Sequence, residues 1–413
     1  MKIICGSGVC KMSGMKSFFA QKIVGLGLVV MIAVIALLGW AILGSTVNPV
    51  PKNMPIALVA ADKGAEIPGR GKVNIGDTLR EKLTAAQTPT GEPSPFEWTV
   101  LDDEREASDG LDRQQYYAAI VLPENLSTAF VSFMSPNPQA AGVKVLINQG
   151  KSGVAASMVT QAVGKMIEGI NNQLREQALG QIQQAPGSGV SFAQAKALAA
   201  PLTVSFEVVH PIMPNTANGN TPVVLTQLAW MAALAASALL YAAGSKLRAA
   251  RRWTVVCSQL AAGAVYAAVA AGAELLLAGG LFGLDIPDWT NTYLFLLLAV
   301  FCFFLLQSAI LAWIGLKGMP VLVLLFFFGL PILSLPPEFL PATTRDWLYS
   351  WIPFRFSVEG LRDLIYFRQG LNVGSPAAVL GWIGAVSAVL MAASVAKRGD
   401  GARGATGIGR TAG

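Results

Sequence analysis

Long apolar runs without charged residues constrain this chain more than any other feature of its sequence. The first covers residues 23–44, 22 residues with no charge, and a helix of that length spans about 33 Å at about 1.5 Å per residue. The hydrocarbon core of a bilayer is about 30 Å thick, so this run is long enough to cross it. Further apolar runs cover residues 222–244, 253–281, 291–316, 319–335 and 377–396. The pattern predicts six membrane-spanning helices, one followed by five.

The composition is that of a membrane protein. Of the 413 residues, 53% are hydrophobic and 13% are charged, whereas an average soluble domain has about 25% charged residues. These values exclude a disordered or wholly soluble chain. Residues 46–221 carry 13 Lys and Arg and 16 Asp and Glu, a net charge of −3. The rest of the chain carries a net charge of +9, which gives the total of +6. Because the excess cations lie in short segments beside the apolar runs, we expect no nucleic-acid partner.

These cations predict how the chain is oriented in the membrane. Positive residues collect on the cytoplasmic side of spans, and here they precede the first run and follow the second and the sixth: Lys11, Lys16 and Lys22; Lys246, Arg248, Arg251 and Arg252; Lys397 and Arg398. We therefore expect a cytoplasmic N-terminus at residues 1–22 and a disordered cytoplasmic tail at residues 397–413. Residues 45–221 would then lie outside, and residues 336–376 would form an outer amphipathic loop within a five-span domain at 222–396.

The polar segment between the first two runs alternates between the periods of strands and helices. The predicted strands are 56–60, 96–101, 116–122, 143–147 and 203–209, and the predicted helices are 75–86, 103–111, 123–133 and 153–183. Such alternation favours a layered α/β domain. The predicted fold class is thus an α-helical polytopic membrane protein with six spans and a large α/β extracytoplasmic domain between spans 1 and 2.

Several short motifs in this order resemble a known family. They are the stretch from Pro55 to Gly64, the Val73–Gly76 stretch, the Tyr116–Glu124 stretch, and Pro353-Phe354-Arg355 followed by Glu359–Asp363. Together they resemble the YhgE/Pip proteins, a group named for a phage infection protein and related to the membrane subunits of type-2 ABC transporters. The resemblance implies a permease subunit of an exporter in the bacterial plasma membrane, acting as a homodimer with a separate ATPase subunit. It implies no particular substrate, which in such exporters is amphipathic, lipid-like, drug-like or polymeric.

The family-motif residues also have structural interpretations. Asp62-Lys63-Gly64 after a strand is a good turn, since glycine accepts a positive φ. Asn74 can cap the helix that begins beside Gly76. We expect structural roles for all five residues.

The sequence holds little that predicts an enzyme. It has no Gly-x-x-x-x-Gly-Lys-[Ser/Thr] phosphate loop and a single histidine, His210, which argues against ATP hydrolysis by this chain and against a catalytic triad. We predict no cofactor and no metal site.

Polar groups at the membrane supply the candidate functional residues. Glu274 lies inside the third apolar run, where a carboxylate costs roughly 2.5–3.5 kcal/mol unless it is paired or hydrated. It either lines a transport path or, if the span begins early, lies near the headgroups. In the resembled permeases the region of Glu359, Arg362 and Asp363 helps to form the outer gate. Arg362 can pair with Glu359 or, less directly, with Asp363.

The basic loop after the second run is the candidate for energy coupling. In the resembled permeases this loop contacts the ATPase, and here it carries Lys246, Arg248, Arg251 and Arg252. Topology alone also accounts for its charges. The alternative to a permease is a non-transporting scaffold or receptor, associated with phage infection or secretion, that presents its outer domain to a partner.

Overall fold

A computed structural model describes residue 32 and residues 51–67, 71–84, 94–133, 135, 137–183, 191–247, 252–370 and 374–396. Apart from Ile32, the predicted first span at 23–44 lies outside these residues. The predicted N-terminal segment at 1–22 and the predicted tail at 397–413 also lie outside them.

Residues 51–209 contain a five-stranded mixed sheet, and we call this part the sheet domain. Its strands are β1 (Met54–Ala60), β4 (Phe96–Leu101), β5 (Ala118–Leu122), β6 (Ala141–Asn148) and β7 (Leu202–Val209), in the order β4-β1-β5-β6-β7. Strand β1 is parallel to β4 and β5, whereas β6 is antiparallel to β5 and parallel to β7. A short antiparallel hairpin of β2 (Ala65–Ile67) and β3 (Gly71–Val73) lies apart from this sheet.

Helices cover both faces of the sheet because the inner strands β1, β5 and β6 bury residues on both sides. The helices are α1 (Ile75–Leu83), α2 (Glu104–Asp112), α3 (Leu126–Ser132), α4 (Gly153–Gln183) and α5 (Phe192–Ala199). In β1, Ile56 and Leu58 belong to the core formed with α1, α3 and α4. Their neighbours Ala57 and Val59 belong to the core on the other face, formed with α2. Successive side chains of a strand point to opposite faces, and this alternation builds the three layers.

The predicted strands and helices of this domain are confirmed in type, with shifts at their ends. The strand predicted to begin at residue 116 begins at Ala118, and the helix predicted from residue 123 begins at Leu126. A turn precedes that helix, in which the Leu126 amide donates to the Pro123 carbonyl at 3.2 Å. The hairpin β2–β3 and the helix α5 were not predicted, because three-residue strands and an eight-residue helix carry too little periodicity.

The second half of the chain is a helical bundle. Its helices are α6 (Thr221–Lys246), α7 (Arg252–Leu275), α8 (Trp289–Ile314), α9 (Met319–Leu333), α10 (Pro353–Ile365) and α11 (Gly374–Ala393). A π-helical segment, Leu276–Leu281, extends α7. In the described part of the chain, four helical stretches are long and apolar enough to cross a membrane: Thr221–Lys246, Arg252–Leu281, Trp289–Gly329 and Gly374–Ala396.

The third of these stretches changes direction. It has 41 residues, which as one straight helix would measure about 61 Å, twice the thickness of a bilayer core. Gly315 breaks it with φ 73° and ψ −164°, and a 3-10 turn follows at Gly315–Gly318. Beyond α9 the chain reaches the sheet domain, where Lys52 donates its amide to the Glu338 carbonyl at 3.1 Å and Phe339 is buried in the sheet-domain core. The chain therefore reverses at Gly315 and returns towards the sheet domain.

An aromatic cluster anchors the amphipathic helix α10 inside the bundle. Phe354 is buried, and its ring lies 4.5 Å from the Trp230 ring and 5.9 Å from the Phe303 ring, between ring centroids. Edge-on aromatic pairs at such distances are favourable beyond simple burial. The opposite face of α10 carries its charged residues, and this places them at the junction with the sheet domain.

Candidate functional site

A cavity of about 390 Å³ lies between the sheet domain and the helical bundle. We call it the junction cavity. It is lined by the start of α4, the loop before β5, the segment after α9, and the charged face of α10. Its charged side chains are Arg113, Lys151, Glu338, Arg355, Glu359, Arg362 and Asp363, four cations and three acids with a net formal charge of +1. The volume is in the range of small-molecule sites, and the lining is more charged than is usual for them.

Tyr117 and Lys151 form the sheet-domain wall of the cavity. The Tyr117 hydroxyl donates to Glu338 Oε2 at 2.8 Å, and Lys151 Nζ lies 3.9 Å from the centroid of the Tyr117 ring. Burial lowers the pKa of the Lys151 ammonium to about 8; the Glu338 charge opposes this shift and the Arg362 charge adds to it. Burial, reinforced by Glu338, raises the pKa of Tyr117, so its hydroxyl remains a proton donor.

Helix α10 forms the facing wall. Arg355 Nε donates to Glu359 Oε1 at 2.7 Å, one helical turn further on, and the Arg355 guanidinium lies 4.8 Å from the Tyr349 ring centroid. Asp363 accepts a hydrogen bond from Gln114 of the sheet domain. Burial raises the pKa of the Asp363 carboxyl to about 6, against the opposing effects of Gln114 and Arg362.

The ion pairs of α10 differ from the predicted ones. The predicted pairing of Arg362 with Glu359 or Asp363 is wrong, and Glu359 accepts from Arg355 instead. Within the described part of the chain, Arg362 has no carboxylate oxygen within 4 Å of its guanidinium. The i,i+4 geometry of Arg355 and Glu359 explains this preference, since both side chains project from one face of the helix.

Close backbone packing fixes the start of α4 at the cavity. A Cβ atom on Gly153 would lie 2.7 Å from Ile212 Cδ1 and 3.0 Å from the Asn218 carbonyl oxygen. Only glycine allows the linker between β7 and α6 to approach this closely. Ser152 caps the helix by accepting from the Ala155 amide at 3.3 Å. This end of the cavity wall is therefore a capped and closely packed helix start.

A second set of contacts docks the two halves beside the cavity. His210 Nε2 lies 2.9 Å from Asp112 Oδ1, and the His210 ring lies 4.4 Å from the Phe367 ring, between centroids. These contacts join the end of β7 to α2 and to the segment after α10. The single histidine therefore has a structural partner on each side.

Glu274 lies elsewhere in the bundle. It is 6% exposed, one residue before the end of α7, and it is not among the residues that line the junction cavity. Neither of its carboxylate oxygens has a hydrogen-bond partner among the described residues. The structure thus brings Glu359, Arg362 and Asp363 together and keeps Glu274 apart from them.

The predicted coupling loop is described only at its two ends. Lys246 ends α6 and Arg252 begins α7, and both side chains are exposed. Arg252 Nη1 donates to the Val395 carbonyl at 3.4 Å, close to the end of the last helix. Arg248 and Arg251 lie outside the described residues.

The family-motif residues form a hydrogen-bond network around the start of α1. Asp62 accepts from the amides of Gly76 and Ser127, each at 2.9 Å, and Asn74 caps α1 by accepting from the Asp77 amide at 2.9 Å. A Cβ atom on Gly76 would lie 2.4 Å from Asp62 Cβ. The turn next to it has Gly64 at φ 76° and an exposed ion pair between Lys63 and Glu124. These are the contacts of a helix cap and a turn.

Sequence reasoning did not single out Arg113, Tyr117, Lys151 or Glu338 as site residues. The sequence held a signal for two of them. Tyr117 lies within the Tyr116–Glu124 motif, and Lys151 follows the end of strand β6 by three residues. Neighbouring strands β5 and β6 are antiparallel, so the start of one and the end of the other meet at the same edge of the sheet.

The side chains at the junction cavity supply hydrogen bonds and charges for binding. Among the described residues, no group of three His, Cys, Asp or Glu side chains is placed to hold a metal ion. The lining has no serine or cysteine beside a histidine that would act as its base. The arrangement is suited to holding a polar or charged ligand against an apolar wall that includes Val154, Leu333 and Val358.

Together, the apolar helices, the mixed-sheet domain and the cavity between them define a multi-pass membrane protein with a ligand-sized site at its domain junction. A family model described as "ABC-2 family transporter protein" matches residues 23–394. The chain belongs to this family, and the predicted resemblance to type-2 ABC membrane subunits is confirmed.

Two individual proteins are similar to parts of the chain. The protein YhgE of Bacillus subtilis (strain 168), described as uncharacterized, is 27% identical over 125 residues, which are 30% of this chain. The match spans only 15% of the length of YhgE. A domain assigned to an ABC type-2 transporter of Thermotoga maritima MSB8 matches with 17% identity and a TM-score of 0.26. That match covers 38% of this chain and 85% of the other, and a TM-score this low carries no structural argument.

Proposed function

We propose that this chain is the membrane permease subunit of a type-2 ABC exporter in the bacterial plasma membrane. The observation that carries the proposal is the family match from residue 23 to residue 394, which includes both the sheet domain and the whole helical bundle. A separate nucleotide-binding subunit supplies the energy, because this chain has no phosphate-loop motif.

The proposed topology has six spans with both termini in the cytoplasm. Residues 23–44 form the first span, α6, α7, α8, α9 and α11 form the other five, and the sheet domain lies outside. The reversal at Gly315 supports counting α8 and α9 as separate spans. The hydrogen bond from the Lys52 amide to the Glu338 carbonyl supports a return to the outer side after α9. The basic loop between α6 and α7 then faces the cytoplasm.

Energy coupling is assigned to that loop. Lys246 and Arg252 are exposed at the ends of two neighbouring helices, where a partner with acidic residues would be attracted electrostatically. ATP binding in the partner would rock two copies of the permease against each other, and the two copies together would supply 12 spans around a shared path. The homodimer is part of the proposal.

The transport path is assigned to two regions of this chain. Glu274 is buried in the bundle without a hydrogen-bond partner among the described residues, as expected for a carboxylate that faces a path or a bound substrate. Glu359, Arg362 and Asp363 line the junction cavity on the outer side, where an outer gate would lie. The substrate passes between these two regions in the proposed mechanism.

Affinity purification from the native membrane in mild detergent tests the proposal. We expect a nucleotide-binding ATPase to copurify in stoichiometric amount, identified by mass spectrometry. A known ABC transporter complex purified in parallel shows that the conditions preserve such assemblies. A clean oligomer without an ATPase would overturn the permease assignment, and it would favour a scaffold or receptor that presents the sheet domain to a partner.

A further inference from the structure

Three cations of the junction cavity have no carboxylate partner in the part of the chain that the structure describes. No carboxylate oxygen of the described residues lies within 4 Å of the charged nitrogens of Arg113, Lys151 or Arg362. Lys151 makes one hydrogen bond to a neutral acceptor, the Gln115 carbonyl, at 3.2 Å. Lys151 and Arg362 are partly buried, and a partly buried cation without a counter-ion gains from a ligand that supplies negative charge.

Each acid of the same cavity has a donor from the protein. Glu338 accepts from the Tyr117 hydroxyl, Glu359 accepts from Arg355, and Asp363 accepts from Gln114. Only Glu359 is neutralised by a cation, because the donors to Glu338 and Asp363 are uncharged. Three cations and these two acids then remain. The net formal charge of the lining is therefore +1.

The two inner cations approach from opposite walls. Lys151 comes from the sheet domain just before α4, and Arg362 comes from α10 in the bundle. Their charges act on each other, since the Arg362 charge contributes to lowering the Lys151 pKa. Arg113 is exposed and lies at the edge of the cavity. The first turn of α4, with Ser152 and Gly153, also lines the cavity, and it adds the positive end of a helix to these cations.

A guanidinium, an ammonium and free backbone amides are the groups that bind phosphate oxygens in proteins. The cavity also has apolar lining from Val154, Leu333, Leu335 and Val358. A ligand that fits both parts carries a phosphate group next to an apolar portion.

We propose that the junction cavity binds the phosphate group of an amphipathic molecule between Lys151 and Arg362, with Arg113 at its entrance. The assignment of this ligand as the transported substrate rests on the proposed permease function. The binding of a phosphate group in the cavity does not depend on that function. The phosphate comes either from a lipid headgroup or from free phosphate. The apolar lining favours the lipid.

Titration calorimetry on the full-length chain, purified in an uncharged maltoside detergent, tests the proposal. The probes are dihexanoyl phosphatidylglycerol, inorganic phosphate, and hexanoate as a carboxylate without phosphate. We expect the phospholipid to bind one molecule per chain, inorganic phosphate to bind more weakly, and hexanoate not to bind. Binding of inorganic phosphate with none of the phospholipid would keep phosphate recognition and overturn the lipid source.

Matched variants locate the binding. Arg362→Gln and Lys151→Gln each remove a charge-assisted hydrogen bond to the bound phosphate. Each is expected to weaken phospholipid binding by about tenfold or more. The controls are Arg345→Gln, whose arginine pairs with Asp346 outside the cavity, and Lys165→Gln, whose lysine is exposed on α4. Both controls should bind like the parent chain. Equal affinity in all four variants would overturn the proposal, as would binding of hexanoate as tightly as phospholipid.

Folding is checked separately by thermal unfolding of each variant. If Arg362→Gln does not fold, Lys151→Gln carries the test alone, because Lys151 lies on the sheet domain and Arg362 on the bundle. The assay contains no ATPase, so its failure would leave the permease assignment intact. Absence of an ATPase partner would leave the binding result intact.

Discussion

Tyr117 donates a hydrogen bond to Glu338 at 2.8 Å and thereby joins the sheet domain to the helical bundle across 221 residues of sequence. Tyr117 is only 2% exposed. The same two side chains line the junction cavity, and Lys151 lies over the Tyr117 ring. A contact that docks the two halves is therefore also part of the wall of the candidate site.

Replacing Tyr117 by phenylalanine should destabilise this docking. The change leaves the Glu338 carboxylate without its donor at a partly buried position, a loss of about 1–3 kcal/mol. Thermal unfolding of the detergent-purified chain should show a lower midpoint than the parent. Tyr116→Phe is the matched control, because no hydrogen bond of the Tyr116 hydroxyl occurs in the described part of the chain. Equal midpoints for the two variants would contradict the assigned role.

Asp363→Asn should stabilise the chain in a pH-dependent way. Burial raises the folded-state pKa of Asp363 from 3.8 to about 6, so the folded chain binds more protons at this site than the unfolded chain between about pH 4 and pH 6. The stability that the site contributes is thus present below about pH 4 and is lost as the pH rises through about 6. The asparagine variant does not titrate, so its advantage in thermal midpoint should grow between pH 4 and pH 7. A constant difference over this range would disprove the assigned titration.

Phosphate binding at the junction cavity should weaken above about pH 8. Burial lowers the pKa of Lys151 to about 8, and only the protonated ammonium contributes to anion binding. The affinity of the parent chain for dihexanoyl phosphatidylglycerol should therefore fall as the pH rises from 7 to 9. Lys151→Arg keeps its charge over this range and should bind with a flatter profile. Parallel profiles for the two chains would show that Lys151 does not carry the titration.

Glu274→Gln should separate transport from folding. A buried carboxylate without a hydrogen-bond partner is costly, and the neutral amide costs less. We therefore expect an unchanged or higher thermal midpoint together with reduced ATP-dependent export. Glu168→Gln, at an exposed position on α4, controls for the loss of one charge. Export at the parent rate in Glu274→Gln would remove this residue from the path.

Periodicity and charge were sufficient to predict much of the fold. The strand Phe96–Leu101 and the helix Gly153–Gln183 have the predicted bounds, because long or strongly alternating segments carry a clear period. The apolar runs at 222–244, 253–281 and 377–396 correspond to candidate spans. The runs at 291–316 and 319–335 fall within or next to one helical stretch that bends at Gly315, a glycine whose positive φ no hydropathy profile reveals.

The site was predicted only in part because it is formed by two distant parts of the chain. Glu359, Arg362 and Asp363 were recognisable as charges on an amphipathic segment. Their partners across the cavity, Tyr117 and Lys151, come from loops that precede β5 and α4. Sheet order and domain docking bring these residues together, and neither follows from local sequence patterns.

ATP hydrolysis by the affinity-purified chain, reconstituted in a lipid bilayer, tests the central claim most directly. We expect the parent chain to copurify with an ATPase partner, so that the preparation hydrolyses ATP. The activity should be lost when Lys246, Arg248, Arg251 and Arg252 are all changed to glutamine in a variant that still inserts and folds. A parent preparation without ATPase activity would contradict the permease assignment, and full activity in the quadruple variant would contradict coupling through this loop.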